Sequence, residues 1–156
     1  MALRNILKDE DPMLRKVCRP VTDFNERLWQ LLDDMADTLK KADGVGLAAP
    51  QIGIQRRLFI MDVGDGLKEC INPTILERRG EQECAEGCLS SPGEYGMIRR
   101  PAVVKLQAQN RQGKFFIVTL EGLAAQCADH ESDHLDGILF KSKVDRMLSP
   151  EELGRN

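Results

Sequence analysis

Residues 122–135 have the sequence GLAAQCADHESDHL and predict a helix that begins near Glu121 or Gly122. Small and apolar residues fill its first half, which indicates a helix that is mostly buried. Gly137 follows two residues later, where a left-handed residue can end a helix at little cost. A buried helix that also carries histidines and carboxylates needs partners for those polar groups, and a metal ion would supply them.

The remainder of the chain predicts another helix and several short strands. Apolar residues recur at helical spacing over 25–42, and Gly44 is expected to end that helix in a left-handed conformation. Strand-like patterns are found at 57–63, 68–72, 74–78, 102–109, 114–120 and 138–144. A helix, then strands, then a helix indicate an α+β fold, with antiparallel sheets packed around the C-terminal helix.

Length and composition are those of one folded domain over residues 1–156, with 42% hydrophobic and 30% charged residues. The net charge of −3 gives no reason to expect a protein that reads nucleic acid. No apolar run reaches the roughly 18 residues that span a bilayer, and residues 1–11 lack a signal-peptide core. We therefore expect a cytoplasmic protein. Its five cysteines, an odd number, argue against a disulfide framework.

Within the second helix, His130 and His134 belong to an HExxH pattern and are the two histidines of the chain. Residues four apart lie on one helical face with Cβ atoms about 5–6 Å apart, so these imidazoles can bind one ion. Glu131 can then reach a water on that ion and act as a general acid and base. The alternative is a polar helix in which two histidines coincide by chance.

An open catalytic metal site has three protein ligands and one exchangeable position, so a third ligand is needed. No histidine follows the HExxH pattern, but residues 86–90, EGCLS, place a cysteine between a glycine and a turn-prone Ser-Ser-Pro-Gly. A thiolate binds such ions tightly, so Cys88 is the predicted third ligand, with a small buried residue as the alternative. Cys84 is expected to be a packing residue.

Residues 44–51, GVGLAAPQ, form a glycine-rich stretch that lacks the lysine of a phosphate-binding loop. Such a stretch can let a small substrate approach the backbone, with Gln51 donating an amide N–H to a developing oxyanion. The sequence leaves a second possibility equally open, namely a loop that ends a helix and carries a solvated glutamine.

Together, and in this order, the three stretches resemble the motifs GxGxAAxQ, EGCLS and HExxH of peptide deformylases. The flanking stretches that are also similar lie at 11–15, 71–73 and 135–137. The resemblance extends from about Ile6 to Val144 and is closest to the short-tailed bacterial members. It implies an α+β metal-dependent hydrolase that removes the N-formyl group from the N-terminal formylmethionine of newly made proteins and releases formate.

The resemblance also implies cofactors and partners. It implies one divalent metal ion per chain, with ferrous iron preferred and zinc, nickel or cobalt as substitutes. Cys88, His130 and His134 would bind the ion, and Glu131 would pass a proton from the attacking water to the leaving amine. The partners would be N-formylated nascent peptides and, transiently, the ribosome.

The remaining implied roles concern the oxyanion and the substrate. Gln51 and the backbone N–H of Leu89 would stabilise the tetrahedral oxyanion. Gly46 would pair with the substrate backbone, and Val45 would line the methionine pocket. Gln126 stands where the family often has an apolar residue near that pocket, so we expect a weaker preference for methionine.

Two other positions depart from the family pattern. Asp129 precedes the first metal histidine, where glutamine is usual, and its role is left open. Tyr95 lies in a stretch where other members place a basic substrate contact.

Two competing hypotheses remain at this stage. A zincin-type endopeptidase would need a third ligand after HExxH, and none is evident. The second is a protein that is not an enzyme, either a structural zinc site or an inactive binder of formylated peptides. A structural site would be closed by four protein ligands, and Cys84 or Cys127 would have to be the fourth.

Overall fold

The computed structural model describes residues 2–153, so Met1 and residues 154–156 of the predicted single domain lie outside this part of the chain. It contains two α-helices, α1 (Glu26–Ala42) and α2 (Leu123–Leu135). The strands are β1 (Gly46–Ala48), β2 (Leu58–Met61), β3 (Lys68–Arg79), β4 (Gln82–Cys88), β5 (Ser91–Arg100), β6 (Val103–Gln109), β7 (Phe115–Glu121) and β8 (Arg146–Met147). Short 3₁₀ helices cover Pro12–Arg15, Ala49–Ile52 and Phe140–Ser142.

The strands form two antiparallel sheets. The larger sheet has the order β1-β2-β3-β6-β7, and the smaller has the order β4-β5-β8. In the larger sheet, Leu58 of β2 is opposite Ile71 of β3, and Leu106 of β6 is opposite Val118 of β7. Within residues 2–153, β1 and β4 each pair on one side only, so each presents a free edge. Antiparallel sheets combined with two helices confirm the predicted α+β class.

Helix α1 begins at a side-chain cap and ends at a left-handed residue. Asn25 accepts a hydrogen bond from the Leu28 N–H and so satisfies a free donor of the first turn. Asp43, with φ of 54°, holds the left-handed position that the sequence assigned to Gly44. A β-carbon on Gly44 would lie 2.9 Å from a terminal methyl of Leu89, which would have to shift to admit it.

Helix α2 lies against the larger sheet through its small residues. Ala125, Cys127 and Ala128 are buried in one cluster with residues of β1, β2 and β6. Small side chains bring the helix axis close to the sheet, and the polar second half of the helix is then carried into the interior as well. The left-handed Gly137 (φ 74°) ends the helix, and a β-carbon there would lie 2.5 Å from the Arg15 carbonyl oxygen.

Several predicted strand boundaries are wrong. The predicted strands 68–72 and 74–78 form one strand, β3, because Pro73 lies within it at a register shift. Strands β1, β4 and β5 were not predicted, since glycine, proline and charged residues obscure an alternating pattern in each of them.

The predicted strand at 138–144 is also wrong. Leu139 and Phe140 are buried, which explains the apolar pattern, but Phe140–Ser142 forms a 3₁₀ turn. The carbonyl of Phe140 accepts hydrogen bonds from the N–H groups of both Lys143 and Val144, so the backbone curls instead of extending.

Among residues 2–153, neither helix has the length and apolar content needed to cross a bilayer.

Candidate metal and catalytic site

Three side chains, one from strand β4 and two from helix α2, meet beside the second half of that helix. Cys88 is the last residue of strand β4, and His130 and His134 lie one turn apart on α2. One ligand atom of each lies within 4.8 Å of the other two. The fold therefore brings the three predicted ligands together, although Cys88 and His134 are 46 residues apart in the chain.

The spacing of this triad fits a shared ion. In a tetrahedral zinc site, sulfur and nitrogen ligand atoms lie about 3.5 Å from each other. The distance between Cys88 Sγ and His134 Nε2 is 3.3 Å. Within residues 2–153 the group that could hold an ion has these three members, and neither Cys84 nor Cys127 belongs to it. Three ligands leave one position open, which favours a catalytic over a structural site.

Glu86 orients the ring of His130. The His130 Nδ1 atom lies 2.7 Å from Glu86 Oε2, so Nε2 is left to face an ion. Arg100 donates to both oxygens of Glu86, at 3.0 and 2.6 Å. Burial by itself raises the pKa of Glu86, but the hydrogen bonds from His130 and Arg100 hold that pKa at about 2. Neither Glu86 nor Arg100 was predicted from the sequence to have a role in the site.

Arg100 is the centre of a buried ionic cluster and is only 1% exposed. Besides Glu86, it pairs with Asp129 at 3.0 Å and Asp133 at 2.7 Å. Three carboxylates exceed one guanidinium, and two cations from the surface offset the excess. Arg78 lies 2.9 Å from Asp129, and Lys143, directly after the 3₁₀ turn, lies 3.0 Å from Asp133. Asp129 therefore joins Arg100 to Arg78.

The electrostatic field at the triad favours a cation. Burial lowers the pKa of His130, but Glu131, Cys88 and Glu86 outweigh that effect and raise the pKa well above its usual range. Burial and the charge of His130 lower the pKa of His134 well below its usual range. The groups that raise the pKa of His130 would also attract a divalent ion, and a neutral His134 has a lone pair to offer.

Glu131 is buried beside the triad and lies against strand β1. A β-carbon on Gly46 would lie 2.5 Å from Glu131 Oε2 and 2.7 Å from Cys127 Sγ, so glycine alone fits there. Within residues 2–153, Glu131 Oε1 has no hydrogen-bond partner. Burial raises the pKa of Glu131 to about 7, against the opposing effect of His130. A carboxyl group with a pKa near neutrality is suited to proton transfer.

Gln51 is buried and held in one orientation. Its Oε1 accepts a hydrogen bond from the Ala48 N–H at 2.9 Å, and its Nε2 donates to Ser90 Oγ at 3.1 Å. The same Nε2 lies 3.5 Å from Cys88 Sγ. The structure therefore excludes the solvated glutamine that the sequence left open. It also assigns a contact to Ser90, to which the sequence analysis gave no role.

Leu89 and Ser90 form the two-residue turn between β4 and β5, where Cys88 is opposite Ser91. The register then slips, and residues 92–94 form a bulge on β5 before pairing resumes. This bulge contributes to the wall of the cavity next to the triad. The backbone of Leu89 thus leaves the sheet directly beside the predicted thiolate ligand.

A cavity of about 410 Å³ opens beside the triad, and the free edges of β1 and β4 both border it. The predicted substrate residues Val45, Gly46 and Gln126 line the cavity, and so does Tyr95. Gln126 Nε2 donates a hydrogen bond to Glu86 Oε1 at 3.2 Å. The amide therefore belongs to the wall and is tied to the group that orients His130.

A helix and a strand that together offer cysteine and two histidines, with a buried carboxyl group alongside, are the framework of a metal-dependent hydrolase. The family model for polypeptide deformylase matches this chain over residues 3–149. The chain belongs to the polypeptide deformylase family.

Individual relatives agree over nearly the whole chain. The peptide deformylase of Acetivibrio thermocellus is 52% identical over 155 residues, which is 99% of this chain and 91% of that protein. Peptide deformylase 1 of Bacillus anthracis is 49% identical, over 98% of this chain and 99% of that protein. The crystal structure of peptide deformylase from Thermotoga maritima matches with a TM-score of 0.92 at 42% identity, covering 93% of this chain and 99% of that one.

Proposed function

We propose that this protein removes the N-formyl group from the N-terminal formylmethionine of newly made proteins and releases formate, as one catalytic domain over residues 1–156. One observation carries the proposal: Cys88, His130 and His134 converge on one point, with Glu131 buried beside them at the cavity. Family membership supports the same reaction.

The triad would hold one divalent metal ion. When bound, such an ion lowers the pKa of water to about 7 and polarises the formyl oxygen. We propose ferrous iron as the native ion, with zinc, nickel or cobalt as substitutes. Thiolate and imidazole ligands together accept several first-row metals, so all four ions fit this donor set.

Glu131 would move the proton. Its carboxylate accepts a proton from the attacking water and later delivers it to the leaving amine of the peptide. Burial supports this role because it raises the pKa of Glu131 to about 7, so that both protonation states are accessible near neutral pH. The contact with Gly46 limits where the carboxyl group can lie.

Gln51 and Leu89 would stabilise the negative charge that develops on the formyl oxygen. Bonds to Ala48 and Ser90 fix the Gln51 amide, which supports this role because the side chain needs little rearrangement when the substrate arrives. The backbone N–H of Leu89 would be the second donor. One such donor contributes about 10²–10³ in turnover because it costs no reorganisation at the moment of reaction.

The free strand edges would bind the peptide. An extended chain can pair its backbone with an exposed strand, which gives affinity that does not depend on side chains. Gly46, on the free edge of β1, would pair with the substrate backbone, and Val45 would contact the methionine side chain. Formylated nascent peptides are the substrates this arrangement fits. A cytoplasmic location and a transient ribosome contact belong to the same proposal.

Formate release tests the proposed function. Protein purified without oxygen and loaded with iron or nickel should release formate from formyl-Met-Ala-Ser. It should leave the peptide bonds intact, and it should not release acetate from acetyl-Met-Ala-Ser. Cleavage of a peptide bond would instead indicate an endopeptidase, and a metal-loaded protein that releases no formate would contradict the proposal.

Thiol labelling tests Cys88 as a ligand. We expect Cys88 to resist alkylation in the metal-loaded protein and to react once a chelator removes the ion, because a bound thiolate is not free to attack. Cys84 is a control within the same molecule: burial raises the pKa of its thiol to about 11, and it lies outside the triad. Mass spectrometry reports both sites. Equal labelling of Cys88 with and without chelator would remove it from the ligand set.

Gln126→Ile tests the substrate pocket. We expect the variant to prefer formyl-Met-Ala-Ser over formyl-Gln-Ala-Ser more strongly than the parent does, by roughly 1–2 kcal/mol, because an apolar wall favours an apolar side chain. The measurement is the ratio of kcat/KM for the two peptides. Gln112→Ile makes the same change at an exposed residue of the β6–β7 turn and should leave the ratio alone. An unchanged ratio in Gln126→Ile would show that this residue does not contact the first side chain.

A further inference from the structure

Residues 2–11, which we call the N-terminal strap, run from helix α1 to the catalytic site. At the start of the strap, the Ala2 N–H donates to Asp34 at 3.0 Å, and Arg4 binds the same carboxylate through two nitrogens at 3.0 and 2.8 Å. Asp34 is itself buried on α1. The first residues of the strap are therefore anchored to helix α1, at a distance from the catalytic site.

The backbone of the strap then bonds to both segments that carry the proposed oxyanion donors. The Leu7 N–H donates to the carbonyl oxygen of Gln51 at 2.7 Å. Two residues later, the Asp9 N–H donates to the carbonyl oxygen of Ser90 at 3.1 Å. Gln51 and the turn at Leu89 and Ser90 come from different parts of the chain, so the strap joins them.

The side chain of Asp9 adds a second tie to the turn. The hydroxyl of Ser91, which is buried, donates to the Asp9 carboxylate. Lys141 pairs with the same carboxylate at 2.6 Å and also with Glu94 in the β5 bulge. Asp9 thus links the strap, the start of β5 and the 3₁₀ turn after α2, and Glu94 borders the cavity.

We propose that Asp9 is a positioning residue for the oxyanion donors. It holds the turn that contains Leu89 and Ser90, and through Ser90 it also holds the Gln51 amide. This inference rests on the proposed function, because it concerns how the donors of that reaction are kept in place.

The rate of the reaction depends on where these donors are held. A displacement of about 1 Å in a catalytic group can cost about 10²-fold in rate. The turn has only two residues and is followed by a bulge, so the β4–β5 pairing restrains it on one side only. Asp9 restrains it from the other side. Loss of this tie should therefore lower kcat while the peptide-binding strand edges, and hence KM, change little.

Asp9→Ala and Glu10→Ala are the test and its matched control. Both remove one carboxylate from the strap, but Glu10 is exposed and, within residues 2–153, has no hydrogen bond or ion pair. We expect Asp9→Ala to lose about tenfold or more in kcat with KM nearly unchanged, because donors are misplaced and not removed. Glu10→Ala should match the parent. Asp9→Asn retains an oxygen for the Ser91 hydroxyl and should fall between Asp9→Ala and the parent.

Each variant is assayed at the same interval below its own melting temperature, so that a general loss of stability does not imitate the effect. The proposal is overturned if Asp9→Ala and Glu10→Ala have equal kcat under that condition, or if Asp9→Ala changes KM alone. A parent protein that releases no formate would defeat the proposed function instead. In that case, the rate at which a chelator removes nickel tests the link between Asp9 and the turn. Asp9→Ala should lose the ion several times faster than Glu10→Ala, because Cys88 adjoins that turn. Equal rates of nickel loss would overturn the proposal.

Discussion

Replacing Glu131 with glutamine is expected to remove most turnover while the metal stays bound. The amide preserves the shape of the side chain, and Glu131 is not one of the three predicted ligands. An amide cannot accept the proton of the attacking water, and proton transfer by a positioned group contributes about 10²–10⁴-fold to rate. Formate release measures the loss, and metal analysis of the same sample measures occupancy.

Ser132→Ala is the matched control for Glu131→Gln. Ser132 is the next residue on helix α2, and its hydroxyl has no partner within residues 2–153, so its removal leaves no other group unsatisfied. We expect this variant to keep the activity of the parent. If Glu131→Gln stays within about tenfold of the parent, a general-base role for Glu131 is wrong.

Replacing Arg100 with methionine is expected to destabilise the fold strongly and to weaken metal binding. The change leaves Glu86, Asp129 and Asp133 without their shared buried cation, and removing one partner of a buried ion pair costs about 3–5 kcal/mol. Glu86 also loses its two hydrogen bonds from Arg100, so the ring of His130 is less well oriented. Urea unfolding measures the first effect, and chelator titration measures the second.

Arg99→Met provides the comparison for Arg100→Met. Arg99 is the preceding residue of β5, but its side chain is 60% exposed, and its pairing with Asp145 is a surface contact. Exposed pairs contribute about 0–1 kcal/mol, so the stability of Arg99→Met should remain close to that of the parent. Similar free energies of unfolding for the two variants would contradict the role assigned to the buried cluster.

Replacing Arg100 with methionine should also make the protein unfold at a less acidic pH. Arg100 helps to hold the pKa of Glu86 at about 2, below its value in the unfolded chain. A carboxyl group with a lowered pKa stabilises the fold above its unfolded pKa, and that contribution is lost as the pH falls through the folded pKa. Without Arg100 the folded pKa of Glu86 rises, so acid unfolding of Arg100→Met should begin at a higher pH than that of the parent.

The sequence predicted the three side chains that converge in the triad better than it predicted their surroundings. His130 and His134 follow from helical spacing, a local property of the chain, and Cys88 follows from the need for a third ligand next to a flexible turn. The cluster around Arg100 has no such signal. Its members come from strands β3, β4 and β5 and from helix α2, and their burial depends on how the smaller sheet and α2 meet. A sequence pattern alone does not contain that information.

In the fold, too, elements with a local sequence pattern were predicted better than elements that depend on distant partners. Helix α1 and strands β2, β6 and β7 have regular apolar patterns and were predicted with small boundary errors. Strands β4 and β5 were missed because their pairing depends on partners in the hairpin and in β8. At 138–144 the apolar pattern predicted a strand, but the hydrogen bonds of a 3₁₀ turn determine the backbone there.

The free edges of β1 and β4 have a consequence for solubility. An unpaired edge is a template on which other chains can assemble into aggregates, and natural proteins avoid this with short edges, bulges or covered edges. Strand β1 has only three residues, and β4 belongs to a hairpin whose bulge lies on β5. Both edges border one cavity. A single extended peptide can enter such a space more readily than the edge of another folded sheet, so the geometry that would admit a nascent chain also shields these two edges from pairing with a second copy.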